Sequence, residues 1–328
     1  MAARRFRARA AGRLIHRRGL LGAALAAVPA CAGGAEGPDL ARALDLSALP
    51  VNGRLRALGG FVVNTGVLGF GGLSGLHLAP DLTLTAVSDR TRFAQMRLEL
   101  AEDLRPLGLS LLRTGWLGDG TGRPLRQGYT GDAEALARLP DGTWLVGFER
   151  WHRIRAYARL DGPGRHVPAP PGIERSPANG SLESLAVLAD GRWLVLSEGL
   201  ASRDGRTGWI GGPDGWLEVG YQPALGHVPV DAAGLPEGGA LVLERAFSVF
   251  GGFASRVVLL SAADLAGPVA GQVLEGEELL RLAVPLPVDN FEGIAVLGHR
   301  GRLLVAMVSD DNESLWQSTI LLLFELHA

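Results

Sequence analysis

The chain of 328 residues contains no lysine, and all 32 of its basic residues are arginines. That bias reads as codon usage and carries no mechanism. It has one cysteine, Cys31, so the folded part has no disulfide and depends on its core for stability. Aromatic residues are few, at 6%. Few runs keep a 3.6-residue apolar period for three turns, which argues against long packed helices. There is no Gly-x-Ser-x-Gly elbow, which argues against a serine hydrolase of that type. Cysteine–histidine clusters are also missing, which disfavours zinc. The longest apolar run near the start, Leu20 to Val28, is too short to remain as a membrane-spanning helix.

Charge is uneven. The net value is −2, but seven arginines (Arg4, Arg5, Arg7, Arg9, Arg13, Arg17 and Arg18) precede the first acid, and without them 25 basic residues face 34 acidic ones, a balance of −9. So acidic a body does not suit nucleic acid, whose binding rests on basic contacts to phosphate. The arginine-rich start, the apolar run and the small residues after it have the layout of a secretory signal over residues 1–31. Arg17-Arg18 followed by Gly19-Leu20-Leu21 resembles a twin-arginine signal. Val28-Pro29-Ala30-Cys31 reads either as a lipobox, with Cys31 lipidated, or as part of a small-x-small cleavage site. The expected location is therefore outside the cytoplasm of a bacterium, periplasmic or lipid-anchored in the envelope. Cys31 offers the sole link to a membrane. Residues 32–43 read as a linker and 44–328 as one folded domain.

What is abundant is glycine, at 47 residues, and a recurring hairpin. In 132–160 a short alternating run meets Pro140-Asp141-Gly142, and an apolar run returns to Glu149. Residues 181–199 are a close copy; 71–90, 230–245 and 290–312 are looser ones, 230–245 reading as one residue shorter. Strand-length apolar runs between turn residues predict hairpins, and their recurrence predicts a repeat architecture. The fold is expected to be all-β, a β-propeller. At ~40–45 residues per four-stranded blade, the length after residue 44 suggests roughly six blades. The terminal run Ser318–Leu326 needs a partner to close the ring, and Arg54–Val63 is the one predicted.

The acids keep a register. Glu134 and Glu149 lie fifteen residues apart, as do Glu183 and Glu198, and Ser74 and Asp89; Glu292 and Asp310 are slightly further apart. In an antiparallel hairpin the start of one strand and the end of its partner share one end, so radial stacking would gather these groups about a common axis. Glu134, Glu149, Glu183, Glu198, Glu244, Glu292 and Asp310 are hard oxygen donors, which suit Ca2+ or Mg2+. Arg90, Arg150 and Arg245 each follow an acid at a hairpin end and could grip a phosphate or carboxylate. Equally, each could pair with a neighbouring blade's acid and lock the ring without a ligand. His77 reads as a core or channel residue. His152 is the one histidine near the acids. Trp144 and Trp193 share a repeat position that predicts packing between blades.

Gly71-Gly72-Leu73-Ser74-Gly75-Leu76, Asp132-x-Glu134-x-Leu136-Ala137, Asn179-Gly180-x-x-Glu183-Ser184-Leu185-Ala186, Asn290-Phe291-Glu292-Gly293-Ile294-Ala295 and Ser309-Asp310-Asp311-Asn312 together resemble the bacterial phytase-like family, described as having esterase-like activity of phytase. The resemblance covers roughly residues 55–327. It implies an exported propeller that hydrolyses a phosphate or carboxylic ester of a small molecule. On that reading Glu134, Glu183 and Glu292 are the catalytic acids, and Arg90, Arg150 and Arg245 bind substrate. The cation, Ca2+ or Mg2+, is held by Glu134, Glu149, Glu183, Glu198, Glu292 and Asp310. The alternative is a non-catalytic envelope propeller that binds a ligand or a protein partner.

Overall fold

The computed structural model describes residues 39–44, 46, 49, 53–314 and 316–327. Residues 1–31, read as an export signal and including Cys31, lie outside the described residues. Five antiparallel sheets account for almost all of the regular structure. From inner to outer strand, blade 1 runs Leu73–Leu78, Thr83–Ser88, Arg92–Leu100 and Pro106–Trp116. Blade 2 runs Ala133–Arg138, Trp144–Phe148, Arg153–Tyr157 and Arg165–Val167. Blade 3 runs Leu182–Val187, Trp193–Ser202, Gly205–Gly212 and Gly215–Tyr221. Blade 4 runs Val228–Gly234, Ala240–Ser248, Gly252–Leu260 and Glu277–Ala283. Blade 5 joins Asn290–His299, Arg302–Asp310 and Ile320–Leu326 to the early strand Leu55–Val63.

Each inner strand packs against the next, and the fifth returns to the first, so the blades form a closed ring. Five apolar clusters fill the five gaps between neighbouring blades. Trp144 lies in the wedge between blades 1 and 2, and Trp193 in that between blades 2 and 3, both nearly buried. Leu55–Val63 closes the ring by pairing with Ile320–Leu326. Glu325 on the closing strand accepts hydrogen bonds from Arg56 on one flank and Arg302 on the other, which hold its carboxyl down at about 2.

The protein has five blades where length suggested about six. The division assumed uniform spacing, whereas long connections cover 117–132 and 168–181, and 261–276 forms an insertion within blade 4. That insertion carries Val273–Leu274 to the edge of blade 3, in parallel with Gly220–Tyr221. The strand Ala41–Ala43 falls inside the stretch read as a linker and pairs with Phe61–Val63. The described helices are short, Thr65–Leu68 and Ala262–Ala266 with one 3-10 turn. None is long and apolar enough to cross a membrane.

The inner strands approach so closely that they need glycine at the neck. A Cβ on Gly293 would sit 2.5 Å from the Ser74 carbonyl oxygen of the next blade, and one on Gly75 would sit 2.3 Å from the Leu136 amide nitrogen. Asp231, fully buried, pins the same neck by accepting the Ile294 N–H at 2.8 Å. Gly293→Ala is expected to destabilise the fold by about 1–3 kcal/mol through overpacking, measured by urea unfolding; an unchanged midpoint would mean the neck has slack.

Candidate functional site

All five inner strands carry an irregularity at one place, just inside the ring's mouth. The register skips between Ala133 and Ala135, between Leu182 and Ser184, between Pro229 and Asp231, between Phe291 and Gly293, and between Leu73 and Leu76. The extra residue is therefore Glu134, Glu183, Val230 or Glu292, with Ser74-Gly75 in blade 1. A bulge re-aims a side chain that regular alternation would send elsewhere. Here Ser74, Glu134, Glu183 and Glu292 line one axial cavity of about 580 Å³. Val230 instead enters the core between blades 4 and 5.

The second strands deliver the other set. Leu73, Ala133, Leu182, Pro229 and Phe291 stand opposite Ser88, Phe148, Ser197, Glu244 and Ser309. The residues that follow these are Asp89, Glu149, Glu198, Arg245 and Asp310, and all five line the cavity. Blade 4 is thus in register with the others, its fifteen-residue spacing running from Val230 to Arg245. Reading it from its acid made it look one residue short. Glu244 does not reach the mouth: it is buried and accepts from Tyr221 Oη at 2.7 Å and Arg256 Nη1 at 2.5 Å.

The arginines are engaged. Arg245 donates to Glu198 Oε1 at 2.9 Å, to Asn290 Oδ1 at 2.7 Å and to Glu292 Oε1, joining blades 3, 4 and 5. Burial opposes its charge, but Glu292 and Glu198 outweigh this and raise its pKa further. Arg150, at the rim, pairs with Asp132. Arg90 pairs with Asp89 at 3.5 Å and with Glu313 at 3.0 Å. His152 fastens blade 2 to the next connection through Ser181 Oγ at 2.6 Å. His77 lies away from the mouth, edge-on to Trp144, and burial lowers its pKa to about 4.

The acids on the other side have less help. Glu149 accepts from the N–H groups of Gly180 and Ser181, the latter at 2.8 Å. Glu183 is 7% exposed, and among the described residues no N–H group donates a hydrogen bond to it and no arginine forms an ion pair with it. Its carboxyl stands well above the usual range, because of burial first and the neighbouring Glu149 second. Glu134 is raised likewise by burial, then by Asp132 and Glu149. Burial raises Glu292 to about 8, against the pull of Arg245, and Asp310 to about 7. Oxygens of Asp132, Glu134 and Glu149 lie within 4.8 Å of one another, as do those of Glu149, Glu183 and Glu198. Of the six acids assigned to a cation by sequence, four fall into these two groups, which share Glu149. Glu292 and Asp310 stand outside both. Asp132 joins them as a candidate ligand that the spacing of acids did not mark; its place two residues before Glu134 was the signal.

The ring and its bulge-aimed carboxylates define the class, a five-bladed β-propeller with an acidic axial mouth. The profile of the phytase-like family, described as esterase-like activity of phytase, matches residues 68–313, and the chain belongs to that family. No curated protein matches it. Among solved structures it is similar to a putative gluconolactonase, at 13% identity and a TM-score of 0.39, over 88% of this chain and 100% of that one. It is also similar to the PQQ-bound aldose sugar dehydrogenase of Streptomyces coelicolor, at 12% identity and a TM-score of 0.44, over 84% and 99%. The WD40 repeats of RRP9 match at 11% identity and a TM-score of 0.40, over 87% and 99%.

For Asp89, Glu292 and Asp310 the folded-state pKa values of about 6, 8 and 7 lie above the ordinary carboxylate range. Folding then takes up protons, so this stability is fully present below the ordinary range and is lost as pH rises through about 6 to 8. In chelator, the melting temperature is expected to fall between pH 5 and pH 8.5. A flat or rising profile would contradict these environments.

Proposed function

We propose that the protein is an exported hydrolase of phosphate or carboxylic esters that works with a divalent cation at its mouth. The observation that carries this reading is Glu183, a nearly buried carboxylate that no N–H group among the described residues hydrogen-bonds, converging with Glu149 and Glu198. A protein that needed only ion pairs would place a base there, as blade 4 does with Arg245. The donors are all hard oxygens, the chemistry of Ca2+ or Mg2+. Asp132, Glu134, Glu149, Glu183 and Glu198 would hold the cation, which when bound polarises an ester oxygen and offsets charge developing there. Arg245 positions Glu198 and Glu292. Glu292 lies outside the two groups, and burial raises its pKa to about 8 even beside Arg245, which suits it to exchange a proton with the leaving oxygen. Arg150, at the rim, would orient the substrate's anionic part, with Arg90 behind it holding Asp89. Export, to the periplasm or to a lipid anchor at Cys31, belongs to the same proposal.

The bridging of blades 3 and 5 by Arg245 favours the alternative on that side of the mouth, where acids serve as structural partners of arginine. Thermal melting with Ca2+, Mg2+ and Mn2+ at millimolar levels separates the two. A cation at a hundredfold excess over its Kd stabilises by about 2.7 kcal/mol, a rise of several degrees. Glu183→Gln should abolish that rise, lower ester hydrolysis, and leave the cation-free protein at least as stable as wild type. No shift with any of the three ions would favour the structural alternative.

A further inference from the structure

One wall of the mouth is unlike the rest. It is apolar where the others are acidic, lined by Val228, Ala246, Phe247 and Phe253. The central strands of blade 4, Ala240–Ser248 and Gly252–Leu260, have nine residues each, longer than Trp144–Phe148 and Thr83–Ser88 and comparable to Trp193–Ser202 in blade 3 and Arg302–Asp310 in blade 5. They stay paired to Ser248 and Gly252, so the hairpin continues past Arg245 as a finger. On it Phe247 and Phe253 face each other with ring centroids 4.9 Å apart, and both line the cavity, as do Ala246 and Val228. Phe247 is 63% exposed. Side chains two apart on a strand share a face and lie about 6.7 Å apart along it. Phe247 therefore stands one such step above Arg245, on the side where Arg245 meets Glu198 and Glu292.

We infer that Phe247 and Phe253 form a subsite for an aryl or short acyl group borne directly on the ester, so that the ligand is a compact amphiphile. This rests on the hydrolase reading for its orientation, polar end at the carboxylates and apolar end against blade 4. A ligand polar at every position would leave both rings facing water. The step of about 6.7 Å sets the spacing: the apolar group begins within a few bonds of the ester and is not carried on a distant tail.

The test measures binding, independent of turnover. Saturation-transfer NMR titrations of the full chain with 2-naphthyl acetate and with ethyl acetate, with and without calcium chloride, give the two affinities. Wild type is expected to bind the naphthyl ester at least about tenfold more tightly, the scale of discrimination an apolar pocket provides. Phe247→Ser should remove most of that preference, while Val269→Ser, in the insertion and away from the mouth, should keep it. Equal affinities in wild type, or a Phe247→Ser variant that keeps the preference with an unchanged melting curve, would overturn the inference. So would sedimentation with phosphatidylcholine vesicles that depends on Phe247 without discrimination between the esters, since it would assign the finger to a lipid surface. Naphthyl preference without hydrolysis of either ester or any cation effect would sink the hydrolase reading and leave the subsite standing.

Discussion

Carboxylates brought about one axis repel one another, and the mouth is arranged around how that repulsion is offset. Blade 4 places a guanidinium among them, and Arg245 takes up Glu198 and Glu292. The connection before blade 3 points two N–H groups at Glu149. Arg150 takes Asp132. What is left bears on Glu134 and Glu183, whose carboxyls burial and neighbouring acids raise well above the usual range. Compensation by arginine is concentrated at Glu198 and Glu292, through Arg245, and is weakest at Glu134 and Glu183 of blades 2 and 3. That lopsidedness turns a ring of similar hairpins into a directional site.

Much of the ring was legible in the sequence because hairpins repeat their signals. The turn Pro140-Asp141-Gly142, the apolar returns and the fifteen-residue spacing are local features, and the structure builds strands from each. The partner of the last strand could be predicted since a ring leaves one strand unpaired at each end. The blade count was harder, because a connection such as 261–276 takes up length without adding a blade. It even lends two residues to a neighbouring sheet.

The site was legible in outline and wrong in one register. Spacing by acid found Glu134, Glu149, Glu183 and Glu198, since charge marks the position. In blade 4 Val230 and Arg245 occupy the same two places with other chemistry, so spacing by acid marks Glu244, one residue away, and Arg245 was legible only as an arginine following an acid. The bulges could not be read at all. A single extra residue changes no composition and no motif; it changes only which way a side chain faces. The aromatic finger escaped for a related reason. Phe247 and Phe253 look like strand residues, and only the length of the hairpin shows that they stand beyond the core.

The seam between Leu55–Val63 and Ile320–Leu326 has a consequence for time as well as for shape. It joins positions almost a whole chain apart, and contacts of such separation form late and raise the barrier to folding. The same seam lies on the route back. No blade can swing free until it parts, and it is held by paired backbone, by Phe61, Leu321 and Leu323 in the core, and by Glu325 between two arginines. A ring closed this way persists by the slowness of its opening.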